Sequence, residues 1–437
     1  MSQPTVLITP LRPALPNTAH DVETHALVRI SVPEADAAAP ARAPLHLSLV
    51  IDRSGSMAGK PLVEAKRCAQ FVVGALRPTD RCSVIAYDDE VSVLSQADSV
   101  GDRHLLQSLI ASISEGGSTN LHGGWLAGAQ TLRVHVAPQV LSRVIVLSDG
   151  CANAGLTGAD AIAEQCASQA VTGVTTSTYG LGTGFNELLM HRMAQAGQGN
   201  AYYGQTADDL MGPFTEELSL LDALYGRSVR LTLQAAPGVT VTMVNTLASL
   251  GPDSWRLPDL ARGGDTWALV RLRVPAAPSD EPQALFTAQI SYDTMQGVAV
   301  QLPPVTLSLP RVADAVYGAL AADSTIEQRI DELGLARVAT QAREAALNGD
   351  WDRATQLLAS MESKVAGNPW LAGVHNELRM LVAERDREGY GKEALYSAMR
   401  MSSRRVSSSE SMDMMEDAQI PEFLRRKTAQ GKSRPKP

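Results

Sequence analysis

A chain of 437 residues is too long for one ordinary domain; at roughly 100–200 residues per domain, two to four are expected. With 44% apolar and 19% charged residues, wholesale disorder is excluded, and 5 Trp, 9 Tyr and 5 Phe leave the core to Ala, Val and Leu. The net charge of −9 speaks against a generic nucleic-acid or anionic-membrane binder, which needs a basic footprint, and fits a protein that binds cations or basic partners.

The first residues, MSQPTVLITPLRP, lack the basic and apolar regions of a secretory signal. No stretch approaches the ~20 apolar residues that span a bilayer. Cys68, Cys82, Cys151 and Cys166 form no CxxC pair and read as small buried apolar residues. Together these features predict a soluble, cytoplasmic protein without a membrane span.

Residues 1–44 hold two strand-like runs, Thr5–Thr9 and His25–Val32, followed by an Ala/Pro-rich spacer. From Leu45 the texture alternates between strand and helix up to residue 222. LHLSLVI (45–51) is a continuous apolar run, as in a strand buried on both faces. A helix entered through Pro61 follows, then strands at 82–87 and 91–94 and helices near 103–113 and 121–134. Next come the strand RVIVLS (143–148), a helix near 158–171, the strand VTTSTYGL (174–181), a helix, the short strand AYYG and a last helix. This spacing predicts an α/β domain, a doubly wound, mainly parallel sheet with helices on both faces.

Between 226 and 310 five runs alternate polar and apolar residues, the pattern of an antiparallel β-sandwich. Five strands are few for a closed sandwich. The two N-terminal strands would complete it, making the α/β block an insertion. Residues 311–398 carry Ala, Leu and Glu at helical spacing, with a helical hairpin turning at Asn348-Gly349-Asp350, and are read as a small helical bundle. Trp351 and Trp370 are expected to pack between its helices. Residues 399–437 are polar and read as a disordered tail, whose Ser-rich stretch beside Arg404 and Arg405 is open to phosphorylation.

The chemistry centres on Asp52-Arg53-Ser54-Gly55-Ser56, directly after the first buried strand. In open α/β sheets, ligands bind at the carboxyl ends of the strands, where strand order reverses. Thr119, in the loop Glu115-Gly116-Gly117-Ser118-Thr119-Asn120, and Asp149, which ends its own strand before Gly150, should reach the same edge. Paired glycines allow the backbone to approach closely. Two carboxylates and three hydroxyls, with no His or Cys, make a hard-cation site that suits Mg²⁺, with Mn²⁺ or Ca²⁺ as substitutes. So few charged donors leave the ion short of one ligand, which a partner's carboxylate can supply.

Asp52, Ser54, Ser56, Thr119 and Asp149 resemble the metal-ion-dependent adhesion site of von Willebrand factor type A (VWA) domains. The resemblance extends through GGSTNLHGG (116–124), VIVLSDG (144–150) and residues 179–204, covering about two-fifths of the chain. It implies a VWA fold over 45–222, direct metal binding by Ser54, Ser56 and Thr119, and carboxylates that act directly or through water. The family includes bacterial proteins that join this domain to β-rich and helical regions. Some of those carry lipoprotein signals, which this sequence lacks.

Other features read as structural. Gly180-x-Gly182-x-Gly184 lacks nucleotide-loop spacing and is a turn. His122 and His191 sit on helix surfaces. Ser54 has no neighbouring base for nucleophilic catalysis.

In the tail, Ile420, Phe423 and Leu424 form an apolar anchor beside Arg425 and Arg426, a pattern similar to the C-terminal binding peptide of bacterial tubulin-like division proteins. Phe423 and Leu424 suit a groove, and the basic residues suit acids, so the segment reads as a docking peptide for a second partner.

The expectation is thus a non-enzymatic adaptor whose metal captures an acidic residue of a protein partner. The alternative is an accessory or substrate-adaptor subunit of an ATPase or kinase system, and a metal-dependent hydrolase ranks third.

Overall fold

Leu45–Asp52 is buried along its whole length, as is Leu141–Ser148. Both strands are covered on two faces, so even their polar residues His46, Ser48, Ser142 and Arg143 are buried. They lie parallel at the middle of a six-stranded sheet ordered Val91–Ser99, Arg81–Tyr87, Leu45–Asp52, Leu141–Ser148, Val174–Leu181, Gln198–Gly204. Every neighbouring pair is parallel except the hairpin of Arg81–Tyr87 with Val91–Ser99. The chain therefore builds outward from Leu45–Asp52 first to one side and then to the other, and strand order reverses between Asp52 and Asp149.

Helices Lys60–Ala75, Arg103–Ser112, Leu121–Arg133, Ala159–Val171, Glu187–Ala196 and Ala207–Asp222 alternate with these strands. Asp102, Asn120 and Asn186 cap three of them by accepting from the backbone N–H of Leu105, Gly123 and Leu189. Helix Leu121–Arg133 sits close to the sheet because it carries glycines on that side. A Cβ at Gly124 would fall 2.5 Å from the Tyr87 ring, and one at Gly128 would fall 2.6 Å from Val50 Cγ2.

The computed structural model describes residues 3–34, 43–137, 139–182, 184–277, 281–403 and 406–407. The chain divides into two compact units: Pro40–Ala223, and Met1–Ala39 together with Leu224–Pro437.

In the second unit, Thr5–Pro10 pairs with Val22–Ser31, which pairs along its length with Gly264–Val274. The N-terminal strands thus join a sheet otherwise made from chain that follows residue 223 in sequence, completed by Thr240–Met243 and Val406–Ser407. A second antiparallel sheet centres on Leu224–Ala235 and Gln283–Thr294. One hydrophobic cluster draws on both sheets, including Val28, Ile30 and Leu272 from the first and Leu231, Ile290 and Leu307 from the second.

Two strand expectations need correction. The run 298–309 is two strands, Ala299–Gln301 and Val305–Leu309, because Pro303 and Pro304 have no N–H for a ladder. Ser249–Gly251, Ser254–Arg256 and Leu260–Ala261 were not expected; each is too short to show a period.

Helix Ser324–Leu347 ends at Asn348, and Gly349 turns the chain at φ +81°. Asp350 then caps Trp351–Ala359 by accepting from Arg353 N at 3.0 Å. Pro369–Ala383 and Arg387–Ser403 complete a helical core, against which Trp351 and Trp370 pack partly buried. The last helix runs to Ser403, into the stretch assigned to the tail. Tertiary contacts hold its end: Met401 is buried, Thr246 N donates to Ser402 Oγ at 2.6 Å, and Asn245 Nδ2 donates to the Ser402 carbonyl at 2.8 Å. Residues 408–437, including Ile420, Phe423, Leu424, Arg425 and Arg426, lie outside the described residues.

Candidate metal centre

Three loops meet at the carboxyl ends of Leu45–Asp52 and Leu141–Ser148. The loop after Asp52 is tied to the Gly116-Gly117 loop by two backbone bonds, Gly55 N to Gly117 O and Gly116 N to Arg53 O, both 2.7 Å. These bonds require backbones to touch. A Cβ at Gly116 or Gly117 would collide with the carboxylates of Asp88 and Asp89.

The five expected residues come together. Asp52, Ser54, Thr119 and Asp149 are buried, and Ser56 is exposed at the rim. Ser56 Oγ donates to Asp149 Oδ1 at 2.9 Å and lies 3.3 Å from Ser54 Oγ. Asp52 Oδ1 accepts from Ser54 N at 2.9 Å. Thr119 is pinned by Asn153, whose Oδ1 accepts from Thr119 N at 2.7 Å while Asn153 N donates back to the Thr119 carbonyl.

Gly150 marks the centre. A Cβ there would lie 3.2 Å from Ser56 Oγ, 3.5 Å from Asp52 Oδ2 and 3.5 Å from Thr119 Oγ1. Oxygens from the first two loops thus face one small space beside the third, kept open because residue 150 has no side chain.

The electrostatics suit a cation. Burial raises the Asp52 carboxyl above its ordinary range, although hydrogen bonds from Ser148 and Ser54 oppose the rise. Burial also pushes Asp149 up to about 6, with Ser56 opposing and the Asp52 charge adding to the effect. Two carboxylates that resist ionisation side by side are relieved by a positive charge between them. Oxygen donors of this mixture, with no nitrogen or sulfur, match a hard divalent ion. Among the described residues no group of three or more His, Cys, Asp and Glu forms a metal cluster, so a metal here depends on the hydroxyls.

Several supporting residues carry no local signal in the sequence. Ser148 Oγ donates to Asp52 Oδ2 at 2.5 Å. Asp88 joins the first two loops: its Oδ1 accepts from Arg53 Nη2 at 3.1 Å, its Oδ2 from Gly117 N at 3.1 Å, and its carbonyl from Asn120 N at 2.8 Å. Burial would raise the Asp88 carboxyl, but the bonds from Glu90, Gly117 and Arg53 outweigh it and hold the group below its usual range. The Asp88-Asp89-Glu90 turn was visible, but nothing in it distinguishes a brace from a solvated turn.

Gly180 lies within the strand Val174–Leu181, so the expected turn does not begin there; Gly182, just past the strand, adopts φ +72°, and a Cβ on Gly184 would fall 3.0 Å from the Asp149 carbonyl. His122 Nε2 lies 2.9 Å from Gln165 Oε1, and His191 is half-buried on its helix. Cys68, Cys82 and Cys166 are buried as expected; Cys151, two residues past Asp149, is exposed instead because it sits on the third loop.

Residues 46–216 match the von Willebrand factor type A domain family. The chain carries a VWA domain.

Among curated relatives, the uncharacterized protein sll0103 of Synechocystis is 25% identical over 225 residues, 49% of this chain and 51% of that protein. The uncharacterized protein YfbK of Escherichia coli is 26% identical over 196 residues, 44% of this chain and 34% of that protein. Human inter-alpha-trypsin inhibitor heavy chain H3 is 27% identical over 194 residues, 40% of this chain and 21% of that protein. The chain thus spans about half or less of the length of these relatives.

Among solved structures, a von Willebrand factor type A protein from Catenulispora acidiphila superposes with a TM-score of 0.68 at 17% identity, covering 92% of this chain and 97% of that one. The ArnB paralog VWA2 from Sulfolobus acidocaldarius superposes at 0.59 and 17% identity, covering 92% and 99%. The likeness is one of fold, and it extends beyond the VWA domain to the antiparallel sheets and helices. Among the described residues no helix is long and apolar enough to cross a membrane.

Proposed function

We propose that this protein is a cytoplasmic, metal-dependent adaptor whose VWA domain captures an acidic residue of a partner protein. VWA domains as a class mediate protein–protein interactions, and the site chemistry specifies how this one would do so. Asp52, Ser54, Ser56, Thr119 and Asp149 would hold a divalent cation, Mg²⁺ best, as an intact adhesion site. The convergence of Ser56 Oγ, Asp52 Oδ2 and Thr119 Oγ1 on the space above Gly150 carries this reading.

The ion would supply Lewis acidity toward one carboxylate. Two acidic donors leave a 2+ ion only just neutralised, so a partner's carboxylate remains attractive as a further ligand. The chain's own part is to hold the five oxygens in place and keep the Asp52 carboxylate out of water. The role is binding rather than catalysis. The two antiparallel sheets, read as a β-sandwich, and the helices would engage further partners.

Calorimetry with MgCl₂ or MnCl₂ on the full chain should show one site that is lost in Asp52→Ala and Thr119→Ala, with circular dichroism unchanged. Partners recovered by pull-down should depart in EDTA and return with Mg²⁺. A partner list indifferent to chelation, or cation binding retained by both variants, would refute the proposal.

A further inference from the structure

The second antiparallel sheet carries on its outer face a strip of arginines, Arg230 exposed and Arg227, Arg256 and Arg262 partly buried, in which bases outnumber the neighbouring acids Asp259 and Asp293. Arg230 lies directly across the strand pair from Arg256, an arrangement of like charges that costs stability unless an anion lies between them. Register places Arg230 opposite Ser291 and Arg227 opposite Asp293, on the face away from the core residues Leu231, Leu257 and Ile290. Arg262 continues the strip by stacking over the Tyr225 ring, 5.2 Å from its centroid.

Among the described residues, none of these four guanidiniums makes a hydrogen bond or an ion pair. Arg256 Nη1 is moreover shut away from solvent with no partner. Burial lowers the Arg256 guanidinium from its ordinary range, with Asp259 and Asp293 opposing and Arg230 adding to the effect. An unpartnered buried donor is costly, and a carboxylate is the acceptor that suits a guanidinium best.

The chain itself supplies the acids. The strand Val406–Ser407 adds to the first sheet with Ser407 opposite Gly264 and Val406 opposite Asp265, antiparallel. At Ser407 the strand direction thus points along its partner toward Arg262, two positions before Gly264. From 406 to 419 the sequence VSSSESMDMMEDAQ contains Glu410, Asp413, Glu416 and Asp417 and no base. We infer that this acidic segment of the tail docks in cis on the strip Arg262, Arg227, Arg230 and Arg256. Its acids begin three residues past Ser407, which puts the segment within reach of Arg262.

Hydrogen exchange on the full chain tests the assignment. At low salt, about 50 mM, amides of residues 408–418 should exchange about tenfold more slowly in the wild type than in Arg227→Gln/Arg230→Gln/Arg262→Gln, and high salt should erase the difference. The tail variant Glu410→Gln/Asp413→Asn/Glu416→Gln/Asp417→Asn leaves the folded units untouched and should lose the same protection. Equal exchange in the wild type and the tail variant overturns the inference. So does protection that grows with protein concentration, which would assign the segment to a second copy.

Discussion

The hydroxyl of Ser148 donates a 2.5 Å hydrogen bond to Asp52 Oδ2, linking the last residues of two neighbouring central strands. Both residues are fully buried, so this bond holds a carboxylate that water cannot reach. Ser148→Ala should cost about 1–3 kcal/mol, the penalty for leaving a buried polar group unsatisfied. Urea denaturation of the full chain with a VWA-specific probe checks this, and an unchanged midpoint would show that Asp52 finds another donor.

Gly150→Ala should separate folding from binding. The added methyl enters the space faced by Ser56, Asp52 and Thr119, and at 3.2–3.5 Å it requires only small shifts. Thermal stability should change little, by about 0.5 kcal/mol or less, while MgCl₂ affinity falls at least about tenfold. Retained affinity would move the cation site away from the space above Gly150.

Gly124→Ala acts on the same edge from the helix side. Its methyl would meet Tyr87 Cδ1 and Cγ at 2.5 Å, in a ring with no room to move. Overpacking of this kind costs about 1–3 kcal/mol, to be read from the denaturant midpoint.

Beneath the last strands lies a different kind of charge. Glu217 is fully buried, pairs with Arg143, and accepts from Ser177 at 2.7 Å, Asn200 at 2.6 Å and Tyr202 at 2.9 Å. Burial raises its carboxyl, but Arg143 and these bonds outweigh the effect and hold it below its usual range. Glu217→Ala strands Arg143 in the core and should cost about 3–5 kcal/mol, whereas Glu217→Leu with Arg143→Met should recover much of the loss. Equal stabilities for the single and double variants would contradict this.

Acid sensitivity should trace in part to His46. Burial, then Arg81 and His135, bring its imidazole down to about 4, against the pull of Asp80. Its folded value lies below its unfolded one, so protonation favours the unfolded chain. The stability that neutral His46 contributes is complete above pH ~6.5 and is lost as pH falls toward 4. Asp149, raised on folding, works in the opposite sense between about 4 and 6. The comparison that isolates His46 is therefore wild type against His46→Gln, whose stability should fall less over this window; parallel curves would exclude His46 as the cause.

The first part of the donor set was legible because it is local. Asp52, Ser54 and Ser56 fall on one loop, and the apolar run before them announces a strand buried on both faces. The helical hairpin at Gly349-Asp350 was legible for the same reason, since a left-handed turn and an N-cap are written in adjacent residues. The bracing of the site was not. Asp88 looks like any turn aspartate, and Ser148 like any strand-end serine, until Gly117 and Asp52 arrive from elsewhere in the chain.

The sequence by itself determined the alternation that makes a parallel sheet and the oxygen chemistry at its edge, because periodicity and residue type act at short range. Only the tertiary structure decided which strands lie side by side, and with them the meeting of Asp52 with Ser148, the opposition of Arg230 and Arg256, and the extension of the last helix to Ser403. These depend on register and on which groups lose water together. Both are set by contacts between residues far apart in the chain, which no local pattern records.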